Sequence, residues 1–424
     1  MVKLHIDIDC FFAAAHRVGN PQLQNIPIAV GGRSNLSIFS KIPQKRELSK
    51  IEGAFTSSIL SVNDGSKTFD EYFKDDDNKV RGIVTTSSYE ARAYGVKTAM
   101  SVAEALRWCP NLLVIPPNYS LYHELSHKLK LLLQKQIPTI EQFSIDEFFC
   151  DVTGWIKDED VEKFAYRLKQ QIADELGLPV SIGIANSKWI AKLATNDAKP
   201  DGVKKVCDNK LENYISKKPI KEFCGIGQGY QHKLQSNGIY KLGQIKEHKE
   251  LLYSWGKFGK QLYHRVQGDD NEAVVYKKND SKSIGLGRTF DPIKDRDEIK
   301  RRVTILCRHL SFLAFKGKHN PMTFSLYLKY QYGEKTKGYI NTQRDFSEQL
   351  LKKEISKIFT NIDNHISHSI VQVNITLSNF SKDKHTIPNL FTQEEDAKQV
   401  KLTKSIQTLR EKFGIDILKS AGEL

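Results

Sequence analysis

A chain of 424 residues with 64 Lys and Arg against 50 Asp and Glu carries a net charge of +14. That length allows about two to four domains and a substantial core. The cationic excess favours a polyanionic partner, nucleic acid before a membrane surface. The six cysteines (Cys10, Cys109, Cys150, Cys207, Cys224, Cys307) form no C-x-x-C pair. Their scatter excludes a zinc ribbon and a disulfide framework and suits a reducing cytosol. With no signal-peptide architecture and no run of about 18 apolar residues, a soluble cytoplasmic protein without membrane contact is expected.

From Val2 to Asp9 apolar and polar residues alternate with the two-residue period of a strand. The strand stops at Asp7-Ile8-Asp9, and Cys10 to Ala15 reads as a helix start with Asp9 as its N-cap. Asp7 stays open between a metal ligand at a strand end and a solvated carboxylate. Ile26 to Val30 predicts a second strand, closed by Gly31-Gly32. From Ser34 to about Arg81 the chain turns rich in Ser and Lys, with a turn signal at Asn63-Asp64-Gly65. It reads as an insertion of loops with room for one helix, and it carries no motif.

Gly82 to Gly95 predicts a strand and then a helix opened by Ser87 or Ser88. Tyr89 and Arg92 share its first turn, an arrangement that suits phosphate oxygens; an ordinary exposed pair is the alternative. A short helix follows over Ser101 to Trp108. Leucines 121, 125, 129, 132 and 133, and later Val161, Phe164, Ala165, Leu168, Ile172 and Leu176, trace two core-facing helices. Between them Glu141 to Asp151 reads as a strand with two adjacent carboxylates, Asp146 and Glu147, in its middle. Neighbours on a strand point to opposite faces, so the pair reaches one point only at a strand end or across a tight turn. Buried there, they would need a cation; a solvated hairpin tip satisfies the same pattern. The strand Val180 to Ala185 and a helix from Ser187 to Thr195, bearing Lys188 and Lys192, complete an α+β layer over residues 1 to about 200.

Residues 211 to about 270 read as short helices. Among them Gly225-Ile226-Gly227 makes a turn whose amides can approach a phosphate, although a plain helix–helix turn has the same pattern. Lys277 to Arg344 holds sixteen Lys or Arg against six acids, ten of the fourteen net charges. Strands (Met322 to Tyr330, Ile370 to Leu377) alternate there with helices (Asp297 to Phe312, Phe346 to Phe359), a separate basic α+β domain suited to phosphate contacts. The tail ends in a helix with Leu402, Ile406, Leu409 and Phe413. Set together, Asp7, Asp146 and Glu147 supply the three carboxylates that two Mg²⁺ ions bridging a triphosphate require. Tyr89, Arg92 and Lys192 would neutralise the phosphates beyond them.

The segments Asp7-Ile-Asp-Cys-Phe-Phe-Ala-Ala, Ile26-Pro-Ile-Ala-Val-Gly-Gly32, Tyr89-Glu-Ala-Arg92, Ser144-Ile-Asp-Glu147, Ala191-Lys-Leu-Ala, Ala198-Lys-Pro-Asp-Gly202 and Lys282-Ser-Ile-Gly285 closely resemble the Y-family translesion DNA polymerases, nearest to the bacterial DinB or polymerase IV branch. The resemblance runs in order from residue 1 to about 290 and more weakly through the tail. It implies an α+β right hand: palm (1–10 and 116–200), fingers (11–115, with the insertion at about 34–81) and a helical thumb with a helix-hairpin-helix (201–272). A linker (273–283), an α+β little finger (284–391) and a C-terminal tail (392–424) would follow.

It further implies template-directed, two-metal nucleotide addition to a primer 3′ end at low fidelity and low processivity. Asp7 and Asp146, with the Ile8 carbonyl, would hold two Mg²⁺ ions, for which Mn²⁺ may substitute, and Glu147 the ion at the primer 3′-hydroxyl. Phe11, Phe12, Thr86, Tyr89, Arg92 and Lys192 would bind the nucleotide, with Phe12 as steric gate against a ribose. Gly225, Gly227, Lys282 and Arg288 would bind DNA. Partners would be primer-template DNA, a dNTP and, through Ile387 to Phe391, a sliding clamp; the protein would act as a monomer.

The sequence departs from the family in four places. The Ser34–Arg81 segment is long, Phe148 follows Asp-Glu where a small residue is usual, His16 stands where an acid is frequent, and Ile387 to Phe391 lacks the usual Gln. Two other readings are a polymerase V catalytic-subunit-like enzyme and a catalytically silent DNA-binding scaffold. Its Asp-Cys-Phe-Phe motif argues against the first and its three acids against the second.

Overall fold

Leu4, Ile6 and Ile8 fill one face of the first strand while Lys3, His5 and Asp7 are covered on the other, so all six residues of Lys3–Ile8 are buried. A strand covered on both faces belongs in the middle of a sheet, and that is where it lies. The computed structural model describes residues 2–40, 67–75, 77–276, 281–381 and 393–424. They form two units: Met1–Gly32 with Asn63–Lys278, and Arg33–Val62 with Asn279–Leu424.

In the first unit the described strands are, in chain order, β1 (Lys3–Ile8), β2 (Ile28–Gly32), β3 (Ile83–Ser87), β4 (Leu113–Ile115), β5 (Thr139–Gln142), β6 (Glu147–Asp151), β7 (Val180–Ala185) and β8 (Val203–Lys205). One sheet runs β5-β6-β1-β7-β8 and a smaller one β3-β2-β4. The stretch from Glu141 to Asp151 is thus two strands. Phe143 to Asp146 form the turn between them, and the Phe143 and Ser144 amides donate to the Glu147 carbonyl at 2.9 and 3.2 Å. The helices Tyr119–Gln136 and Val161–Leu176 bury the apolar stripes read from the sequence. A third helix, Lys188–Ala198, presses so closely on β7 that a Cβ at Gly183 would meet the Ala191 carbonyl oxygen at 2.0 Å. Residues 208–267 add short helices around their own core, including Leu234, Leu242, Leu252 and Leu262.

The second unit is a four-stranded antiparallel sheet of β9 (Ser283–Ile293), β10 (Pro321–Tyr330), β11 (Lys335–Asn341) and β12 (Ile370–Phe380), in the order β11-β10-β12-β9. Two helices, Arg296–Lys316 and Glu348–Ile362, supply Leu306, Leu310, Leu351 and Ile355 to its core. Residues 33–40 belong to this unit too, with Ile38 and Phe39 in the same core.

The C-terminal residues close the second unit through buried ion pairs. Arg308 donates to Glu423 (2.6 Å), Asp416 (2.8 Å) and the Ile415 carbonyl (2.6 Å), and Lys352 bonds Glu348 (2.7 Å) and Glu423 (2.9 Å). The expected tail helix is Gln393–Phe413, on which Leu402, Leu409 and Phe413 are exposed, whereas Asp396, Thr403 and Arg410 are buried. Ion pairing to Arg344 and Glu348, rather than apolar burial, sets that helix's rotation. The peptide Ile387 to Phe391 and most of the Ser34–Arg81 insertion lie outside the described residues. Among the described residues no helix is long and apolar enough to cross a membrane.

Removing one member of a buried ion pair strands its partners without water, a loss of about 3–5 kcal/mol. Glu423→Ala, which takes a buried carboxylate from Arg308 and Lys352 and leaves them only Asp416 and Glu348, should lower the stability of the second unit in urea by up to that amount. An unchanged midpoint would show that the C-terminus is not part of its core.

Candidate active site

The turn before β6 and the end of β1 bring the three predicted acids together. Asp7 stands directly opposite Glu147 in the β1–β6 ladder, and the Ile8 amide donates to the Asp146 carbonyl at 3.0 Å. Asp146 is held in the turn by the Ser144 hydroxyl. Residues opposite each other on antiparallel strands share a face, so Asp7 and Glu147 lie side by side. Lys199 pairs with Asp7 at 2.6 Å, and Lys192 pairs with Glu147.

Burial is the main electrostatic influence here. It raises Asp7 from its ordinary 3.8 to about 7, against the opposing pull of Lys199 and with a further push from Glu147 and Asp146. Burial also raises Asp146, the Ser144 hydrogen bond opposing it. His5, one step back on β1 and the same face, is held neutral by burial and by the charges of Lys192 and Lys199. Its Nδ1 bonds the Thr195 hydroxyl at 2.9 Å, and its Nε2 stands 3.8 Å from Glu147 without a hydrogen-bond partner.

Asp9 departs from its expected place. The N-cap of the helix Phe11–Arg17 is Cys10, in a left-handed conformation (φ 47) with no side-chain cap. That turn sends the Asp9 carboxylate inward, where it accepts from Tyr89 (3.2 Å), Ser181 (2.8 Å) and the Asp201 amide (2.7 Å). Asp9 therefore joins β7 and the Lys199-Pro200-Asp201 turn to the helix Tyr89–Ala93. Ser88, one of the two expected caps, opens that helix. The Arg92 guanidinium lies 4.8 Å over the Tyr89 ring and donates to the Ser87 carbonyl at 3.1 Å. Thr86 lies on β3 opposite Val30.

The two phenylalanines after Cys10 point differently. Phe11 is buried, whereas Phe12 is half-buried and stacks on Tyr122, with centroids 4.3 Å apart and planes 14° apart. His16 holds the Tyr122 hydroxyl at 2.8 Å. Gly225 has φ +96, a conformation only glycine takes without strain, and Gly227 caps the helix Gln228–Gln235. Lys282 and Arg288 belong to the second unit, where Lys282 is exposed and Arg288 donates to the Asn35 carbonyl at 3.0 Å.

Sequence reasoning missed Lys199, Asp9 and His5 as members of this site. Lys199 lay within a recognised segment, and its place just after a helix following β7 was the available signal. The donor set suits a hard divalent cation: carboxylate and carbonyl oxygens, with no sulfur. Among the described residues no three His, Cys, Asp or Glu are drawn in closely enough to ligate an ion as they stand. Two lysine ammonium groups instead sit against the carboxylates.

The impB/mucB/samB family model matches residues 6–196. The chain is 32% identical over 291 residues to the DNA polymerase IV of Vibrio parahaemolyticus, covering 68% of this chain and 69% of that one. It is 30% identical to the DNA polymerase IV of Glaesserella parasuis, covering 75% and 77%. Among solved structures, a Y-family Dbh–Dpo4 chimera superposes with TM-score 0.70 at 23% identity, covering 90% of this chain and all of that one. DinB from Sulfolobus solfataricus gives 0.52 at 22%, covering 90% and 99%. Those two likenesses are of fold.

A carboxyl whose pKa rises on folding holds its proton more tightly in the folded state. Metal-free stability should therefore fall as pH climbs from about 4 through about 7. Asp7→Asn removes that cost and should melt above the unsubstituted protein at pH 8 in chelator; equal melting would refute the buried-acid account.

Proposed function

This chain belongs to the Y family of DNA polymerases, in its DNA polymerase IV branch, and on that premise we propose how its residues divide the work. It is a template-directed DNA polymerase of the translesion type, and its chemistry needs divalent metal ions. The observation that carries the residue assignment is the β1–β6 register, which sets Asp7 against Glu147 beside Asp146.

Asp7 and Asp146, with the Ile8 carbonyl, would hold two Mg²⁺ ions, Mn²⁺ being an acceptable substitute, and Glu147 would help hold the ion that serves the primer 3′-hydroxyl. When bound, the ions lower the charge barrier to attack by the primer 3′-oxygen on the α-phosphorus and to departure of pyrophosphate. Lys199 and Lys192 release their carboxylates and turn to the phosphates, joined by Arg92 and Tyr89. Asp9 keeps Tyr89 aimed by accepting its hydroxyl proton. Thr86 and Phe11 shape the nucleotide side of the site from β3 and the first helix.

Phe12 is the steric gate. Its ring is backed face to face by Tyr122, itself anchored by His16, so it cannot retreat from a ribose 2′-hydroxyl. The unusual His16 thus has a structural task, and burial lowers it to about 4, which keeps it neutral. Gly225 and Gly227 of the thumb, and Lys282 near the start of the little finger, grip primer-template DNA as a monomer with the domain bounds given above, while Arg288, expected to join them, donates to the Asn35 and Gly287 carbonyls. A clamp contact through Ile387 to Phe391 completes this reading.

Primer extension with Mg²⁺ on undamaged and adducted templates tests the assignment. Asp146→Ala or Glu147→Ala should lower extension by at least about 10³-fold while primer-template affinity changes little. Retained extension in either variant removes the metal role of that acid. Phe12→Ala should raise the ratio of ribonucleotide to deoxynucleotide incorporation, and Tyr122→Leu should raise it less; an unchanged ratio in Phe12→Ala would exclude the gate.

A further inference from the structure

The insertion that follows β2 has no place in the chemistry above, yet its first described residues are built into the second unit. Asn35 opens a tight turn by accepting from the Ser37 amide (3.0 Å) and hydroxyl (2.6 Å). The turn Leu36–Phe39 then delivers Ile38 and Phe39 to the core at 1% and 4% exposure. Phe39 meets Phe290 of β9 edge to face at 6.3 Å, and the Arg302 guanidinium lies 4.8 Å from both rings. Two backbone carbonyls are also taken: Arg288 donates to Asn35 (3.0 Å) and Arg301 to Phe39 (2.9 Å). Arg301 further reaches the Glu423 carbonyl at 3.3 Å, so the same side chain holds this segment and the C-terminal residues.

A surface loop tolerates insertions because it packs on nothing. This one supplies two apolar side chains, a cation–π clamp and two side-chain-to-backbone bonds, which is the anatomy of a docked peptide. The chain consequently crosses between the two units three times, where a single linker at 273–283 would give one crossing.

We propose that Asn35–Phe39 is an intramolecular docking peptide, seated on β9 and the helix Arg296–Lys316, that ties the second unit to β2 as a second tether. Extra connections raise the effective concentration of one module for a ligand held by the other. The tether therefore lengthens each encounter with primer-template DNA without touching the nucleotide site. That consequence rests on the polymerase reading; the docking itself does not.

The test uses the full-length protein in two measurements. Hydrogen exchange at residues 36–40 should be slow, and Phe39→Asp or the milder Asn35→Ala should speed it by roughly tenfold or more, while Phe39→Leu leaves it slow. Fast exchange in the unsubstituted chain overturns the docking, whatever the activity. With a DNA trap present, Phe39→Asp should shorten products per binding event by roughly two- to fivefold and leave single-nucleotide incorporation unchanged. A flexible Gly-Ser insertion between Gly32 and Arg33 should shorten products equally while exchange stays slow. Released or slackened variants with unaltered product length overturn the tether.

Discussion

Carboxylates buried at the end of β1 are the constraint on which the first unit depends. A charge removed from water is costly unless another charge answers it, and here the answers are Lys199 for Asp7 and Lys192 for Glu147. Both lysines come from the helix Lys188–Ala198 and the turn after it. The close packing of that helix on β7, permitted by Gly183, is therefore an electrostatic requirement as well as a steric one.

The region around Tyr89 is organised differently, by a single buried acid. Asp9 gathers Tyr89, Ser181 and the Asp201 amide, so one side chain fixes elements far apart in sequence. Behind Phe12 a stacked tyrosine and a neutral histidine do comparable work with almost no charge. Aromatic stacking is what the proposed gate would need, a surface that resists pressure in one direction and presents no group that hydrogen-bonds a sugar hydroxyl.

In the second unit, arginines take the role that lysines play in the first. Arg308 and Arg410 bind the C-terminal residues, and Arg288, Arg301 and Arg302 bind the segment that follows β2. A guanidinium donates in several directions and lies flat on a ring, so one helix can hold chain segments drawn from both ends of the sequence. Several of the charges that make this unit basic are thereby spent internally, while others, Lys282 among them, face outward.

The sequence by itself determined most of the strands and helices, the α+β class and the family, and it singled out the three acids. Those follow from local periodicity and from short motifs, and both are carried by neighbouring residues. Strand geometry left Asp146 and Glu147 either at a strand end or across a tight turn, and reading Glu141 to Asp151 as one strand hid the hairpin that puts Asp146 in the turn and Glu147 at the start of β6. Only the tertiary structure decided that Asp9 faces inward and that Lys199 answers Asp7. It also decided that Leu402, Leu409 and Phe413 of Gln393–Phe413 face solvent and that Ile38 and Phe39 belong to a core built some 250 residues later in the chain. Each of these depends on a partner distant in sequence, and long-range pairing of charges and apolar surfaces leaves no period to read.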